Sequence, residues 1–132
     1  AVLHWQRHAK RIWPGAAIYC FDCFSPLETL YKQQNVNYNI CYLSNVDDLE
    51  VKFYQNDMLF GGNSYYKEKT IHFPEDTFIL KKTITLDTIV KEKGIPYPEL
   101  IKMDVQGAEL DVIKGATNCL KHCKYLILEL II

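Results

Sequence analysis

The chain has 132 residues, with 15 basic against 16 acidic side chains, so its formal net charge is −1. This length predicts one compact domain with a single core, and a hydrophobic fraction of 48% is ordinary for a folded protein. The charge balance argues against a nucleic-acid-binding surface, which normally carries a clear basic excess.

The two ends of the chain carry no targeting or membrane signal. Residues 1–13 are basic and lack the apolar stretch of a secretory leader, so we expect a cytoplasmic setting. The apolar run at residues 125–132 is interrupted by Glu129 and is too short to span a bilayer. Five cysteines, an odd number, favour reduced thiols over a disulfide framework. The sequence opens as if inside a helix and stops at a strand, which is typical of a fragment.

The first predicted elements are a helix, a strand and a second helix. Residues 2–13 predict a helix that ends at Pro14-Gly15. Residues 17–21 are apolar, which is typical of a strand buried on both faces, and this strand closes on Asp22. Ser25-Pro26 then predicts a helix start with Ser25 as N-cap and Glu28 completing a capping box, and this helix runs to about residue 34.

The middle of the chain predicts strands and a long loop. Residues 39–43 predict a buried strand, whereas residues 49–54 alternate between apolar and polar and predict a half-buried one. Residues 56–75 predict a long loop or irregular hairpin. Residues 83–85 predict a strand, and residues 86–93 predict a short helix stopped by Gly94 and Pro96.

The last third repeats the order of strand and helix. The predicted elements are a strand at 100–104 that delivers Asp104 at its end, a tight turn at Gly107, helical turns at 108–114 and 117–122, and a strand at 125–130. This alternation predicts an α/β fold, with a Rossmann-like, mostly parallel sheet and helices on both faces, incomplete at the N-terminus and at the C-terminus. We expect one domain over residues 1–132, with an inserted loop or hairpin at about 46–82.

Polar side chains at predicted strand ends are the candidate functional residues, because ligands of open α/β sheets bind at the carboxyl ends of the strands. These candidates are Asp22, Ser44-Asn45, Asp104 with Gln106, and Glu129. Asp22 is placed to hold ribose hydroxyls or, alternatively, to cap the next turn. Asp104 either serves the chemistry or bonds backbone N–H groups of the following helix. Glu109 could be catalytic or could complement the helix dipole.

The block from Leu100 to Glu109, reading LIKMDVQGAE, is followed by Val112 to Ala116, reading VIKGA, and preceded by Thr85-Leu86-Asp87. This set closely resembles the signature of FkbM-type methyltransferases, whose pattern runs LDD, then IKIDVEGAE, then a lysine-glycine-alanine turn. Phe21-Asp22 with Ser25-Pro26 is similar to the family's FEP segment, Ser44 matches its ALSD region, and Gly61 to Ser64 looks like its glycine–serine loop.

The resemblance implies a Rossmann-like fold, S-adenosylmethionine as methyl donor, and O-methylation of a hydroxyl on a sugar or other small-molecule acceptor. Carried over by position, Asp22 holds the ribose, Ser44 lies near the adenine, and Asp104 lies beside both the methyl sulfonium and the acceptor. Asp104 and Glu109 are then the expected catalytic residues, and Gln106 and Ser64 the expected acceptor contacts. No metal is implied.

Three features depart from the family pattern. Asp22 stands where the family usually has Glu, and Gln106 replaces an acidic residue. The family's first strand with its glycine loop does not occur within residues 1–132, so we expect these residues alone to bind the cofactor weakly. Because an ordinary carboxylate is a weak base for an alcohol, we expect Asp104 to orient the acceptor while His72 or water assists proton removal.

Readings of other classes stay open from the sequence. Cys20 and Cys23 form a CxxC pair that Cys119, His122 and Cys123 could complete as a zinc or redox site. A non-catalytic interaction module that kept the fold and lost cofactor binding is the main alternative to an enzyme. No nucleic-acid or membrane partner is expected, and an exposed sheet edge could pair with a second copy of the chain.

Overall fold

The structure is a computed structural model that describes residues 3–53 and 78–130. The predicted loop at 56–75, with Ser64 and His72, lies outside the described residues. In chain order the described elements are α1 (His4–Ile12), β1 (Tyr19–Asp22), a 3₁₀ turn (Ser25–Leu27), α2 (Glu28–Gln33), β2 (Asn37–Ile40), β3 (Glu50–Phe53), β4 (Ile79–Lys82), α3 (Leu86–Glu92), β5 (Leu100–Met103), α4 (Glu109–Lys114), α5 (Thr117–His122) and β6 (Tyr125–Leu128).

The described strands form three two-stranded sheets. β1 pairs with β2 and β5 pairs with β6, both in parallel, whereas β3 and β4 are antiparallel. Parallel pairs joined through helices confirm the mixed α/β class that the alternating pattern predicts. The chain divides into two compact units, Ala1–Cys41 and Tyr42–Ile132.

In the first unit, α2 packs against β2, and the described buried apolar residues are Leu3, Phe24 and Tyr31. The Tyr31 and Tyr38 rings stack with centroids 5.5 Å apart, which joins the helix to the strand. The capping-box prediction is wrong, because Ser25 lies inside the 3₁₀ turn and the N-cap position, Phe24, has no side-chain cap.

The second unit is built on a core that the helices and β-strands share. Its described buried apolar residues are Phe53, Leu86, Ile89, Val90, Met103, Ala108, Val112, Ala116 and Cys119. α3 and α4 both pack against α5. The predicted alternation holds in β3, where Val51 and Phe53 are more buried than Glu50 and Lys52.

Three strand predictions need correction. β4 ends at Lys82, and within residues 83–85 only an isolated bridge from Ile84 to Leu43 remains. The strand predicted at 39–43 lies at Asn37–Ile40. β1, predicted to be buried on both faces, is only partly buried, and the apolar residues of β6 are all exposed.

Residues 83–88, here called the 83–88 segment, make polar contacts with residues 46–49, which precede them in the chain. The Thr83 hydroxyl donates to the Val46 carbonyl at 2.6 Å. Asp47 accepts from the Thr85 N–H and from the Thr88 hydroxyl, each at 2.7 Å. Thr85 also caps α3, since its hydroxyl oxygen accepts the Thr88 N–H. These bonds place the start of α3 against residues 46–49.

Within residues 3–53 and 78–130, no helix combines the length and the apolar character that crossing a membrane requires.

Candidate functional site

Asp22 is the last residue of β1, at the carboxyl end of the strand, and its side chain is half-buried. Its Oδ1 accepts the Phe24 N–H at 2.9 Å, and its Oδ2 accepts the Tyr31 hydroxyl at 2.7 Å. Asp22 therefore makes the contacts expected of a residue that caps the next turn, which is the structural alternative to ribose binding. A carboxylate offers about four acceptor sites, so these two bonds fix its orientation and leave capacity for further donors.

Three thiols surround Asp22. Burial, and secondly the negative charge of Asp22, raise the pKa of Cys20, and raise the pKa of Cys23 and Cys41 to about 12. These groups stay protonated at neutral pH, whereas a thiolate is the form that binds metal or attacks as a nucleophile. All five cysteines are free.

The zinc interpretation gains no support from the other side-chain positions. No group of three or more His, Cys, Asp or Glu residues suited to a metal ion occurs in the part of the chain that the structure describes. The His122 ring stacks on Tyr97 with centroids 4.1 Å apart, and its Nδ1 lies 2.9 Å from the Asn118 carbonyl. The Cys123 thiol donates to the Tyr125 carbonyl.

Ser44 is 3% exposed. Its N–H donates to the Ile84 carbonyl at 3.0 Å, and its hydroxyl donates to Asn45 Oδ1 at 3.3 Å. A Cβ on Gly115 would overlap the Ser44 carbonyl oxygen, so only glycine permits this approach. Ser44 thus contributes to packing, and the exposed Asn45 is the more accessible polar side chain of this pair, which lies beyond the end of β2 at Ile40.

Asp104 follows β5 directly and is exposed. The Gln106 side-chain amide donates to its Oδ1 at 2.9 Å, so the residue that departs from the family pattern orients the carboxylate. Partial burial is the main cause that raises the pKa of Asp104; Lys102 opposes the rise, and Glu129 and Glu109 add to it. A raised pKa makes the carboxylate a better base than an ordinary one.

Glu109 supports the turn that carries Asp104. It is 3% exposed, and its Oε1 accepts the N–H groups of Val105 at 3.3 Å and of Gly107 at 3.2 Å. Gln106 and Gly107 both have positive φ, at 54° and 92°, so this turn needs support from outside the backbone. The predicted catalytic Glu109 is positioned to hold the turn, and the carboxylate that reaches solvent beside it is that of Asp104.

Glu129 is a further candidate that the sequence pattern located at a strand end without giving it a role. It follows β6 directly, and its N–H donates to the Met103 carbonyl at 3.1 Å. Its Oε2 lies 3.5 Å from Lys102 Nζ, and its negative charge is one of the causes that raise the pKa of Asp104. Which strands are neighbours could not be read from the sequence. β5 and β6 pair in parallel, and this pairing places the residues after the two strands side by side.

Asp87, in the Thr85-Leu86-Asp87 segment, has a structural task. Its carboxylate accepts the N–H groups of Asn118 at 2.8 Å and of Cys119 at 2.9 Å, in the first turn of α5. Burial is the largest effect and disfavours the charge, but these two bonds, together with the Cys119 side chain and the positive charge of Lys121, outweigh it and lower the pKa of Asp87. The carboxylate therefore caps α5 from another helix.

Residues 14–131 match the Methyltransferase FkbM domain. The chain belongs to the FkbM methyltransferase family. A curated relative, hexuronic acid methyltransferase AglP of Haloferax volcanii, is 43% identical over 49 residues, which are 37% of this chain and 20% of that protein. The match thus spans about a fifth of the relative's length. No solved structure matches the chain.

Membership of the FkbM family confirms the resemblance that the 100–116 block carries. Inside this block the structure separates two kinds of residue. Glu109 and Gly115 shape the backbone, whereas Asp104 and Gln106 present polar groups to solvent.

Proposed function

We propose that this FkbM domain belongs to an S-adenosylmethionine-dependent O-methyltransferase whose acceptor is a hydroxyl of a sugar or similar small molecule. The observation that carries the proposal is the exposed Asp104 carboxylate, oriented by Gln106 on a turn that the buried Glu109 holds. The curated relative is a hexuronic acid methyltransferase, which supports a sugar acceptor.

The proposed fold is a single Rossmann-like domain with helices on both faces of a mostly parallel sheet. Its support is the parallel pairing of β1 with β2 and of β5 with β6, each pair connected through at least one helix. In such folds the carboxyl ends of the strands bind the ligand, which is where Asp22 and Asp104 lie on their respective strands.

Asp22 fits the ribose of the cofactor by its chemistry. A ribose presents two hydroxyl donors, and the Asp22 carboxylate is held by two bonds that leave acceptor capacity free. Holding the carboxylate in place before binding reduces the entropy lost when the ligand is fixed. Ser44 is proposed to lie near the adenine, with the exposed Asn45 as the polar side chain available there, because the Ser44 side chain is buried.

When bound, the cofactor supplies a methyl group on a positively charged sulfur. The protein then needs to align the acceptor oxygen and accept its proton, and alignment alone can supply about 7–11 kcal/mol. Asp104 is proposed to accept a hydrogen bond from the acceptor hydroxyl and to receive the proton as the new C–O bond forms. Its raised pKa suits this role.

The test is calorimetric titration of the full-length protein with S-adenosylmethionine, together with a methyl-transfer assay on hexuronic acid glycosides. We expect Asp104→Asn to lower turnover by roughly 100-fold with little change in cofactor affinity. We expect Asp22→Asn to weaken cofactor binding by roughly tenfold, because a charge-assisted bond to the ribose is lost. Asp48→Asn, at an exposed carboxylate, is the control and should change neither quantity.

Absence of cofactor binding by the full-length protein would refute the enzyme proposal. That result would favour the non-catalytic interaction module instead. Binding without any loss of turnover in Asp104→Asn would leave the enzyme in place and remove Asp104 from its chemistry.

A further inference from the structure

Helix α1 carries two histidines on consecutive turns, here called the histidine pair (His4 and His8). Residues four positions apart are neighbours on one face of a helix. Both side chains are exposed, and their rings are in contact, with centroids 4.5 Å apart and planes at 81°. The first turn is formed, since the Arg7 N–H donates to the Leu3 carbonyl at 3.0 Å. The helix therefore holds two imidazoles side by side at its surface.

Two imidazoles this close together can bind one metal ion. A ligand nitrogen lies about 2.1 Å from such an ion, so two nitrogens in neighbouring coordination positions are about 3 Å apart. Rings that are already in contact reach this separation by rotation about their side-chain bonds, which is fast for exposed residues. Water can fill the remaining coordination positions. The histidine pair shares no residue with the CxxC zinc set that the sequence suggested.

The charges around the histidine pair decide which ions it fits. Arg7 lies three residues after His4, Arg11 lies three residues after His8, and α1 contains no acidic side chain. Mg²⁺ and Ca²⁺ prefer oxygen ligands, so here they would meet repulsion without a carboxylate to offset it. Late first-row divalent ions bind imidazole nitrogen, and their affinity increases towards Ni²⁺ and Cu²⁺. The surroundings therefore favour ions that gain from nitrogen coordination.

We propose that His4 and His8 form a surface site for one late first-row divalent ion of the Ni²⁺ or Cu²⁺ class, which bridges the first two turns of α1. The site is separate from the proposed methyl transfer and does not depend on it. The N-cap position, Leu3, provides no side-chain cap, and the first turn of α1 has no acidic residue. An ion held by both turns stabilises the helical form of this segment, because only that form places the two ligands together.

The probe is Ni²⁺ alone, because it keeps its oxidation state in the presence of the free thiols. Isothermal titration calorimetry of the full-length protein measures the affinity. NMR of the histidine ring nitrogens identifies the ligands, since the paramagnetic ion shifts and broadens the signals of the rings that bind it. We expect the His4 and His8 signals to change together, at the same Ni²⁺ concentration.

The variants test whether both ligands and their spacing matter. His4→Ala and His8→Ala should each weaken Ni²⁺ binding by at least about tenfold, because even the loss of a group that only supports a ligand costs about 10–100-fold. The matched control Gln6→His/His8→Ala keeps two histidines on α1 but separates them by two residues, so they do not face each other. It should bind Ni²⁺ as weakly as His8→Ala. His122→Ala removes a histidine outside α1 and should leave this affinity unchanged.

Arg11 provides a test of opposite sign. Arg11→Gln removes a positive charge next to the bound ion, so Ni²⁺ should bind about two- to fivefold more tightly at low ionic strength. The gain should shrink at about 0.15 M salt, because salt screens charges at the surface. A substitution that merely disturbed α1 would weaken binding instead.

The proposal is overturned if His4→Ala or His8→Ala binds Ni²⁺ as tightly as the wild type. It is also overturned if Gln6→His/His8→Ala restores the affinity, because the i, i+4 spacing would then be irrelevant. Methyl transfer is not measured in any of these assays, so their outcome is independent of the test of the proposed function.

Discussion

Replacing Asp87 by Ala should destabilise the protein although Asp87 lies on α3 and its bonds are to α5. The Ala variant loses two hydrogen bonds, of 2.8 and 2.9 Å, to backbone N–H groups that have no helical partner of their own. At about 1 kcal/mol for each bond of a half-buried group, the free energy of unfolding should fall by about 2 kcal/mol. With a urea m-value of about 2 kcal/mol/M, the unfolding midpoint should drop by about 1 M.

The prediction for Asp87→Ala can also be tested through the pH dependence of the free energy of unfolding. Because the folded pKa of Asp87 is lowered, its stabilisation is present above the unfolded pKa near ~3.9 and is lost as pH falls through the folded value. The difference between wild type and Asp87→Ala should therefore be largest at neutral pH and shrink in acid. Urea unfolding followed by circular dichroism at pH 7 and at about pH 3 measures both quantities.

Glu92→Ala is the control, since Glu92 is exposed at the other end of the same helix. It should lower the midpoint by much less than Asp87→Ala. Equal losses in the two variants, or a loss in Asp87→Ala that stays unchanged in acid, would refute the assignment of Asp87 as the cap of α5.

Three further predictions follow from single contacts. Gly115→Ala should cost about 1–3 kcal/mol in urea unfolding, because its Cβ overlaps the Ser44 carbonyl, and a wild-type midpoint would contradict this packing. Gln106→Glu should raise the pKa of Asp104 in NMR titration, because a negative charge replaces the amide donor; a fall would rule out that contact. Glu109→Ala should lower the free energy of unfolding by about 2–4 kcal/mol, because two N–H groups of the turn lose their acceptor, whereas a surface role predicts almost no change.

Helices and parallel pairing were predictable where the local signals agree with the final packing. Gly94 marks the end of α3, and the apolar run before Asp104 marks β5. Prediction from local sequence was wrong where a residue outside the element determines how that element begins. Ser25 resembles an N-cap, yet Asp22 provides the carboxylate that binds the backbone N–H at the start of this turn.

The candidate site was predictable in its positions and less so in its roles. Asp22 and Asp104 stand at strand ends as predicted, but the tasks of Glu109 and Ser44 depend on which backbone groups they meet, which no spacing records. Glu129 needed the strand register, because its ion pair with Lys102 links positions far apart in the chain. The proposed roles of Asp22, Ser44 and Gln106 stay predictions.

The polar contacts of the 83–88 segment limit how the domain can be recombined. This segment binds Asp47 on one side and the first turn of α5 on the other, so the signature block after residue 100 is anchored by residues outside it. A hybrid that imported residues 100–130 from another member of the family would keep the cap of α5 as long as Asp87 stays, because the two bonds are made by backbone N–H groups. Exchange experiments aimed at acceptor choice should therefore place the crossover after α3, so that Asp47 stays with Thr85 and Thr88.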